Sequence, residues 1–234
     1  MRISRLFGTK KEHLEQLTVA VIMLLVSVLY LYVTRLFAPD YAFNVWEFIG
    51  TWTALVCVWL SRTRNVLCWP WGIISSLTLG WFFATIGLPG QQWLNWGYFV
   101  VIQLLAWPHW VFGGRERTEL PVTSLSWRGR GVVLVLVVLG TIIIHSSIDT
   151  YAPGSAYPWL DALVVVASVL AQYLLGRKKV ESWFLWLGPV NLVSIVLFYL
   201  SGALTLTALY LAFFVHALLA LRTWIRVEKR VSYV

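Results

Sequence analysis

The sequence predicts an all-α membrane protein of eight transmembrane helices: an N-terminal extra helix, then two three-helix repeats of the same sense joined by a linker helix. Three observations lead there. The chain of 234 residues is 59% hydrophobic and only 12% charged, too little polar surface for a soluble domain of that length. Its apolar residues gather near 18–37, 47–60, 67–87, 92–112, 131–149, 158–175, 183–201 and 204–225, most of them close to the ~20 residues that a bilayer core demands of a helix. Seventeen of the eighteen Lys and Arg residues then fall in alternate gaps, and only Arg35 lies on the other side.

That split orients the chain. Lys and Arg near spans are retained in the cytoplasm, so both termini are expected there, and one miscounted span would scramble the parity. The first stretch, 18–37, follows Arg2, Arg5, Lys10 and Lys11 as a signal peptide would. Its apolar run continues through Val33 without a small-residue cleavage site, so it reads as a retained helix. The 47–60 stretch is short and extends back to Tyr41, with Trp46 and Glu47 near the outer interface. Arg62 and Arg64 mark the cytoplasmic hairpin into 67–87, and 92–112 returns to a polar connector, 113–130, that carries Gly113-Gly114 and Gly129-Arg130-Gly131. After the linker helix 131–149, Arg177, Lys178 and Lys179 mark the second cytoplasmic hairpin, and Arg222, Arg226, Lys229 and Arg230 the basic end.

An internal duplication fits this order. A shift of 114 places Glu47 on Asp161, Arg64 on Lys178, Trp69 on Trp183, Leu104-Leu105-Ala106 on Leu218-Leu219-Ala220, and Trp110 on Trp224. The organisation is therefore 1–40 (basic N-terminus and extra helix), 41–112 (first repeat), 113–150 (connector and linker helix), 151–226 (second repeat) and 227–234 (tail). An odd triplet followed by one linker helix makes both triplets start outside, related by an axis along the membrane normal as in parallel-repeat transporters. A solute site is expected between them, near mid-membrane.

Composition excludes several functions. The formal charge of +8 is spread over five cytoplasmic segments, which topology explains better than nucleic-acid binding. Cys57 and Cys68 lack metal-ligand spacing and a disulfide framework, so inert thiols are expected. All ten acidic residues stand at or beyond span ends, so no carboxylate marks an ion relay in mid-span. No Walker A run, HExxH helix or Gly-x-Ser-x-Gly turn is present. No catalytic residue, metal site or cofactor is expected, and passive, substrate-driven passage is what remains.

The mid-span polar groups are neutral: Ser75, Ser76, Gln103, Gln172, Asn191, Ser194 and His216. Bonds between helices account for such groups in a bilayer, and His145 on the linker helix reads as structural. Of the fifteen Trp residues, Trp46, Trp93, Trp110, Trp127, Trp159 and Trp224 fit interfacial belts, while Trp52 and Trp81 lie deeper. Trp183, Trp186 and Asn191 form a further cluster. From Lys179, a rise of ~1.5 Å per residue puts Trp186 about 10 Å and Asn191 about 18 Å into the membrane. The three span roughly 140° of one face, which Gly188-Pro189 is able to bend inward. Two roles fit. The indoles belong to a belt and Asn191 bonds a neighbouring helix, or the indoles stack a flat, aromatic, cationic solute whose primary amide or pyrimidine edge pairs with Asn191.

The run Glu181-Ser182-Trp183-Phe184-Leu185-Trp186, followed by Asn191, resembles the Glu-x-Trp-x-x-Trp…Asn/Asp signature of the PnuC family of bacterial nicotinamide riboside transporters. Asn65-Val66-Leu67-Cys68-Trp69-Pro70-Trp71-Gly72 resembles the start of that family's first repeat, and Trp107-Pro108-His109-Trp110 its closing Trp-x-x-Trp. The chain departs at Ala106, where the family often has Gly, and at Pro108 inside the closing motif. The resemblance covers about 41–226 and leaves 18–37 as an added helix. It implies a fold like the SWEET sugar facilitators, an inner-membrane location and a homotrimer. It also implies facilitated diffusion of nicotinamide riboside, trapped by a cytoplasmic kinase, with Trp183, Trp186 and Asn191 lining the site. Trp69 is added by pseudo-symmetry, Gln103 and Tyr98 by mid-span polarity and position. Thiamine or another vitamin of the same transporter fold is the alternative substrate. A membrane-embedded enzyme and a membrane scaffold are alternatives of other classes.

Overall fold

The computed structural model describes residues 14, 17–18, 21, 44–85, 92, 94–151, 157–200 and 204–231; the expected span at 18–37 lies outside them, apart from residues 18 and 21. Among the described residues the secondary structure is helical, with no strand beyond a single bridge between Thr123 and Lys179. Two compact units, Met1–Glu119 and Leu120–Val234, divide the chain.

The first unit contains α1 (Val45–Arg62), α2 (Cys68–Thr85) and α3, which opens as a wide turn over Leu94–Phe99 and continues as an α-helix over Val100–Phe112. Gly50 brings α1 and α2 together: a Cβ there would stand 2.6 Å from Leu79 Cγ. The Ser75 hydroxyl donates to the Gly50 carbonyl at 2.8 Å, using the gap that the missing side chain leaves. Gly72 does the same for α3, since a Cβ there would lie 1.8 Å from Gln103 Oε1.

The second unit contains α4 (Trp127–Tyr151), α5 (Pro158–Gly176), α6 and α7 (Leu204–Val231). α6 runs Glu181–Leu185, widens over Trp186–Leu192 and resumes over Val193–Leu200. α4 starts four residues before the expected linker helix, so Arg128 and Arg130 lie in its first turns and not in a loop. The Ser126 hydroxyl explains the early start by accepting the Gly129 N–H at 3.2 Å, as an N-cap does. Of the helices, Trp127–Tyr151, Pro158–Gly176 and Tyr210–Lys229 are long and apolar enough to cross a membrane.

Each unit turns its first basic hairpin in the same way. Arg64 (φ 60°) and Lys178 (φ 48°) both adopt the left-handed region, which a non-glycine residue enters at a cost. Arg64 N donates to Ser61 O and Asn65 N to Leu60 O; 114 positions later Lys178 N donates to Leu175 O and Lys179 N to Leu174 O. Cys68 N to Asn65 O and Trp69 N to Val66 O recur as Ser182 N to Lys179 O and Trp183 N to Val180 O. The turn thus launches the following helix with a Trp in its first turn.

A strap closes the basic end of the second unit. Thr123 N donates to Lys178 O, Val180 N donates to Thr123 O, and Lys179 Nζ reaches Thr123 Oγ1 at 2.8 Å. Glu181 accepts from Leu125 N at 3.0 Å and from Arg130 Nε at 2.9 Å. Ser124 Oγ donates to Glu228 Oε1 on α7 at 2.5 Å. Glu181, expected at an exposed span end, is thereby buried with its charge compensated.

Candidate functional site

Pro189 shapes the part of α6 that carries the expected site. It has no N–H, so in an α register the Leu185 carbonyl would lack a donor. The helix widens over Trp186–Leu192 instead, a register in which each N–H reaches five residues back and that carbonyl falls to Val190. The widening changes which side chains share a face. At ~100° per residue Trp186 and Asn191 would stand about 140° apart; five apart in the wide register, they stand only about 50° apart and share a face. Asn191 is buried at 4% exposure, midway along α6. Trp186 is half-buried, and Gly188 between them faces open space, with nothing within 4 Å of a Cβ placed there.

Trp183 has a different setting. It is buried, edge-to-face with Trp224 at 5.7 Å and with His216 at 6.0 Å, both on α7. Its indole N–H is buried and has no hydrogen-bond partner among the described residues. The stacking expected of both indoles is therefore open to Trp186, while Trp183 is wedged into its own bundle and offers an unused donor.

In the first unit Trp69 repeats this arrangement, edge-to-face with Trp110 at 4.9 Å and 86°, and its N–H is likewise buried without a partner among the described residues. Gln103 Nε2 donates to Ser76 Oγ at 2.9 Å, which ties α3 to α2. Its Oε1 is buried against Gly72 and accepts no hydrogen bond among the described residues. Tyr98 sits on the wide turn beside Phe99, with ring centroids 5.5 Å apart. The structure so gathers Trp183, Trp186 and Asn191 on one helix of the second unit, and Trp69, Gln103 and Tyr98 on two helices of the first.

Several aromatic assignments change. Trp110 and Trp224, expected in interfacial belts, are fully buried because each packs against the motif Trp of its own unit. Trp127 and Trp159 are exposed, as belt residues are. Trp81 is half exposed and stands 6.2 Å from Trp46 and 6.4 Å from Trp96, which leaves its expected depth in the membrane untouched. His145 is structural, stacked on Trp159 at 3.7 Å and paired with Asp149 at 3.3 Å. Sequence reasoning missed the contact of His216 with Trp183. The available signal was its place eight residues before Trp224, on the same face of α7. Asn95, buried in the wide turn of α3, was missed too, because no proline announces that turn.

Apolar helices long enough to span a bilayer, with neutral amides and indoles buried in their packing, define a membrane protein in build. Residues 44–226 match the family model described as nicotinamide mononucleotide transporter, and the chain belongs to that family. It is a family of multi-pass membrane transporters, not of enzymes. The chain is 27% identical over 185 residues to the riboflavin/roseoflavin transporter RibM of Streptomyces davaonensis, covering 77% of this chain and 84% of that protein. It is 24% identical over 216 residues to the nicotinamide riboside transporter PnuC of Escherichia coli, covering 80% and 88% respectively. The PnuC of Neisseria mucosa is 27% identical over 191 residues, 77% of this chain and 72% of that one. In fold the chain is similar to the crystal structure of the vitamin B3 transporter PnuC, with a TM-score of 0.68 at 24% identity over 95% of this chain and 94% of that one.

Proposed function

We propose that the protein carries nicotinamide riboside across the bacterial inner membrane by facilitated diffusion, with phosphorylation in the cytoplasm trapping the product. The observation that carries the reading is Asn191, a buried carboxamide at the middle of α6 on the face of the half-buried Trp186. A carboxamide both donates and accepts, and so matches the primary amide of a nicotinamide ring. An indole face attracts the ring's cationic π-system. The relatives named as nicotinamide riboside transporters support the same substrate. Titration calorimetry of the purified chain with nicotinamide riboside, riboflavin and thiamine tests it. The expected result is heat from the first alone, and saturable binding of another vitamin without it would replace the assignment.

Trp183, Trp186 and Asn191 line the site in this reading, with Trp69, Gln103 and Tyr98 contributed by the first repeat. The chain crosses the membrane eight times with both termini cytoplasmic, as an extra helix (1–40), two repeats (41–112 and 151–226), the connector and linker helix between them (113–150) and a tail (227–234). The matched hairpin bonds around Arg64 and Lys178 support the duplication, and with it a SWEET-like 3+1+3 repeat. Mass measurement in native lipid discs tests the homotrimer that completes this reading.

A second reading has its own support. The similarity to RibM extends over 77% of the chain, and the pyrimidine edge of a flavin presents donor and acceptor groups that Asn191 would also match. The calorimetric comparison separates the two.

A further inference from the structure

We propose that His216 is the positioning residue for the Trp183 indole, and through it sets how tightly the site holds its solute; this rests on the reading of α6 as the solute-binding helix. His216 and Trp224 are eight residues apart on α7, so their Cα atoms stand about 12 Å apart along one face. The Trp183 ring is 6.0 Å from the imidazole and 5.7 Å from the indole of Trp224. The Trp183 ring meets both side chains, which bound a slot on α7 in which it sits.

Ala217 and Ala220, both buried to 1% exposure or less, lie on that stretch of the face and leave the slot its depth. The ring contacts are tilted by 64° and 73°, so the slot fixes the plane of the indole as well as its place.

The first unit shows what is particular to His216. At the same spacing Trp69, Ala106 and Trp110 correspond to Trp183, Ala220 and Trp224, and each pair of tryptophans is again edge-to-face. The residue that corresponds to His216 in the first unit, 114 positions earlier, is however Ile102. An aliphatic residue fills space without orienting a ring. An imidazole has a plane, a face and an edge, and meets an indole in a defined tilt. The second unit thus orients its motif Trp from both ends, and that Trp has an N–H without a partner among the described residues.

The test uses the full chain with 5-fluorotryptophan in lipid discs. The ¹⁹F resonance of Trp183 is assigned by its absence in Trp183→Phe, and affinity for nicotinamide riboside is read by calorimetry. His216→Ala is expected to move that resonance and to weaken binding about two- to tenfold, the range of one lost aromatic pair. His216→Phe keeps a flat ring in the slot and is expected to restore the resonance and most of the affinity. An unmoved resonance in His216→Ala, or unchanged affinity despite a moved one, overturns the proposal. Restored resonance without restored affinity in His216→Phe overturns it too, since the imidazole would then touch the solute itself. If His216→Ala does not fold, His216→Leu, which fills the slot without a ring, is held to the result expected of the alanine. Should the wild type bind no nicotinamide riboside, the substrate reading fails, and the ¹⁹F shift still decides whether His216 positions Trp183.

Discussion

Burying an amide in apolar surroundings costs about 1–3 kcal/mol when its hydrogen bonds are not replaced, so the proposed contact of Asn191, at 4% exposure, with the solute is open to test by single substitution. Asn191→Leu is similar in volume and leaves a ligand carboxamide unpaired. Affinity for nicotinamide riboside is expected to fall about 5- to 150-fold, equivalent to roughly 1–3 kcal/mol. A pyridinium riboside without the carboxamide should lose far less, and calorimetry on the folded variant checks both. Unchanged affinity would make Asn191 a helix-packing residue. Trp183→Phe addresses the other buried polar group. It removes an N–H that has no partner among the described residues, so the stability lost should be only that of the cavity a smaller ring leaves, about 1–3 kcal/mol. A loss of affinity in the folded variant that His216→Ala does not match would mean that the solute accepts that hydrogen bond. At this scale the sequence was an uneven guide. Asn191 was legible as a polar residue in mid-span, but Trp110 and Trp127 are chemically the same residue, one fully buried and the other exposed. Only the 114-residue shift, which pairs Trp110 and Trp224 with one another, separates them.

Helices carry two further tests. Pro189 was legible as a bend, but bending and widening are different answers to one missing N–H, and the widening is what brings Asn191 onto the face of Trp186. Pro189→Ala restores an α register and turns Asn191 away by up to roughly 100°. Because proline inside a helix costs about 3 kcal/mol, the variant should melt no lower than the parent while binding more weakly. A variant that binds as well as the parent would show that the shared face is irrelevant. Gly72→Ala tests packing in the first unit. The added methyl would meet Gln103 Oε1 and Cys57 Sγ, so a loss of about 1–3 kcal/mol of stability is expected, as for other overpacked sites. Unchanged melting would mean that Gln103 moves aside freely. Glycines that bring helices together and glycines that face open space, such as Gly188, look alike in a sequence, which is why this contact was not foreseen.

For the whole molecule, the order of the helices described from Val45 to Val231 was legible from apolar length, because the bilayer imposes it on any chain that crosses it. The strap of Thr123–Leu125 over Glu181 was not legible: it joins residues over fifty positions apart, and no periodicity marks it. Charge parity sets the topology test. A reporter fused after Val234 and active only in the cytoplasm is expected to work, and activity of an export-dependent reporter at that position would break the eight-span reading. The same distribution of charge bears on energy coupling. A transporter driven by protons or sodium needs an ionisable or carbonyl-lined ion site within its spans. Here Asp149 and Asp161 stand near helix ends, and Glu181 and Glu228 are engaged by Arg130, Leu125 and Ser124. Among the described residues the buried mid-helix polar groups are amides, hydroxyls and an imidazole. Nicotinamide riboside is itself a cation, so a membrane potential acts on it directly, at about 2.3 kcal/mol per 100 mV, without any coupled ion. Uptake into proteoliposomes is therefore expected to proceed with proton and sodium gradients collapsed, and to level off when inside and outside concentrations match. Imposing a negative interior potential with potassium and valinomycin should raise that plateau, and doing so should leave neutral riboflavin, if it is carried at all, unaffected. Accumulation that appears only with an imposed proton or sodium gradient would exclude facilitated diffusion and turn attention to His216, the imidazole nearest the candidate site.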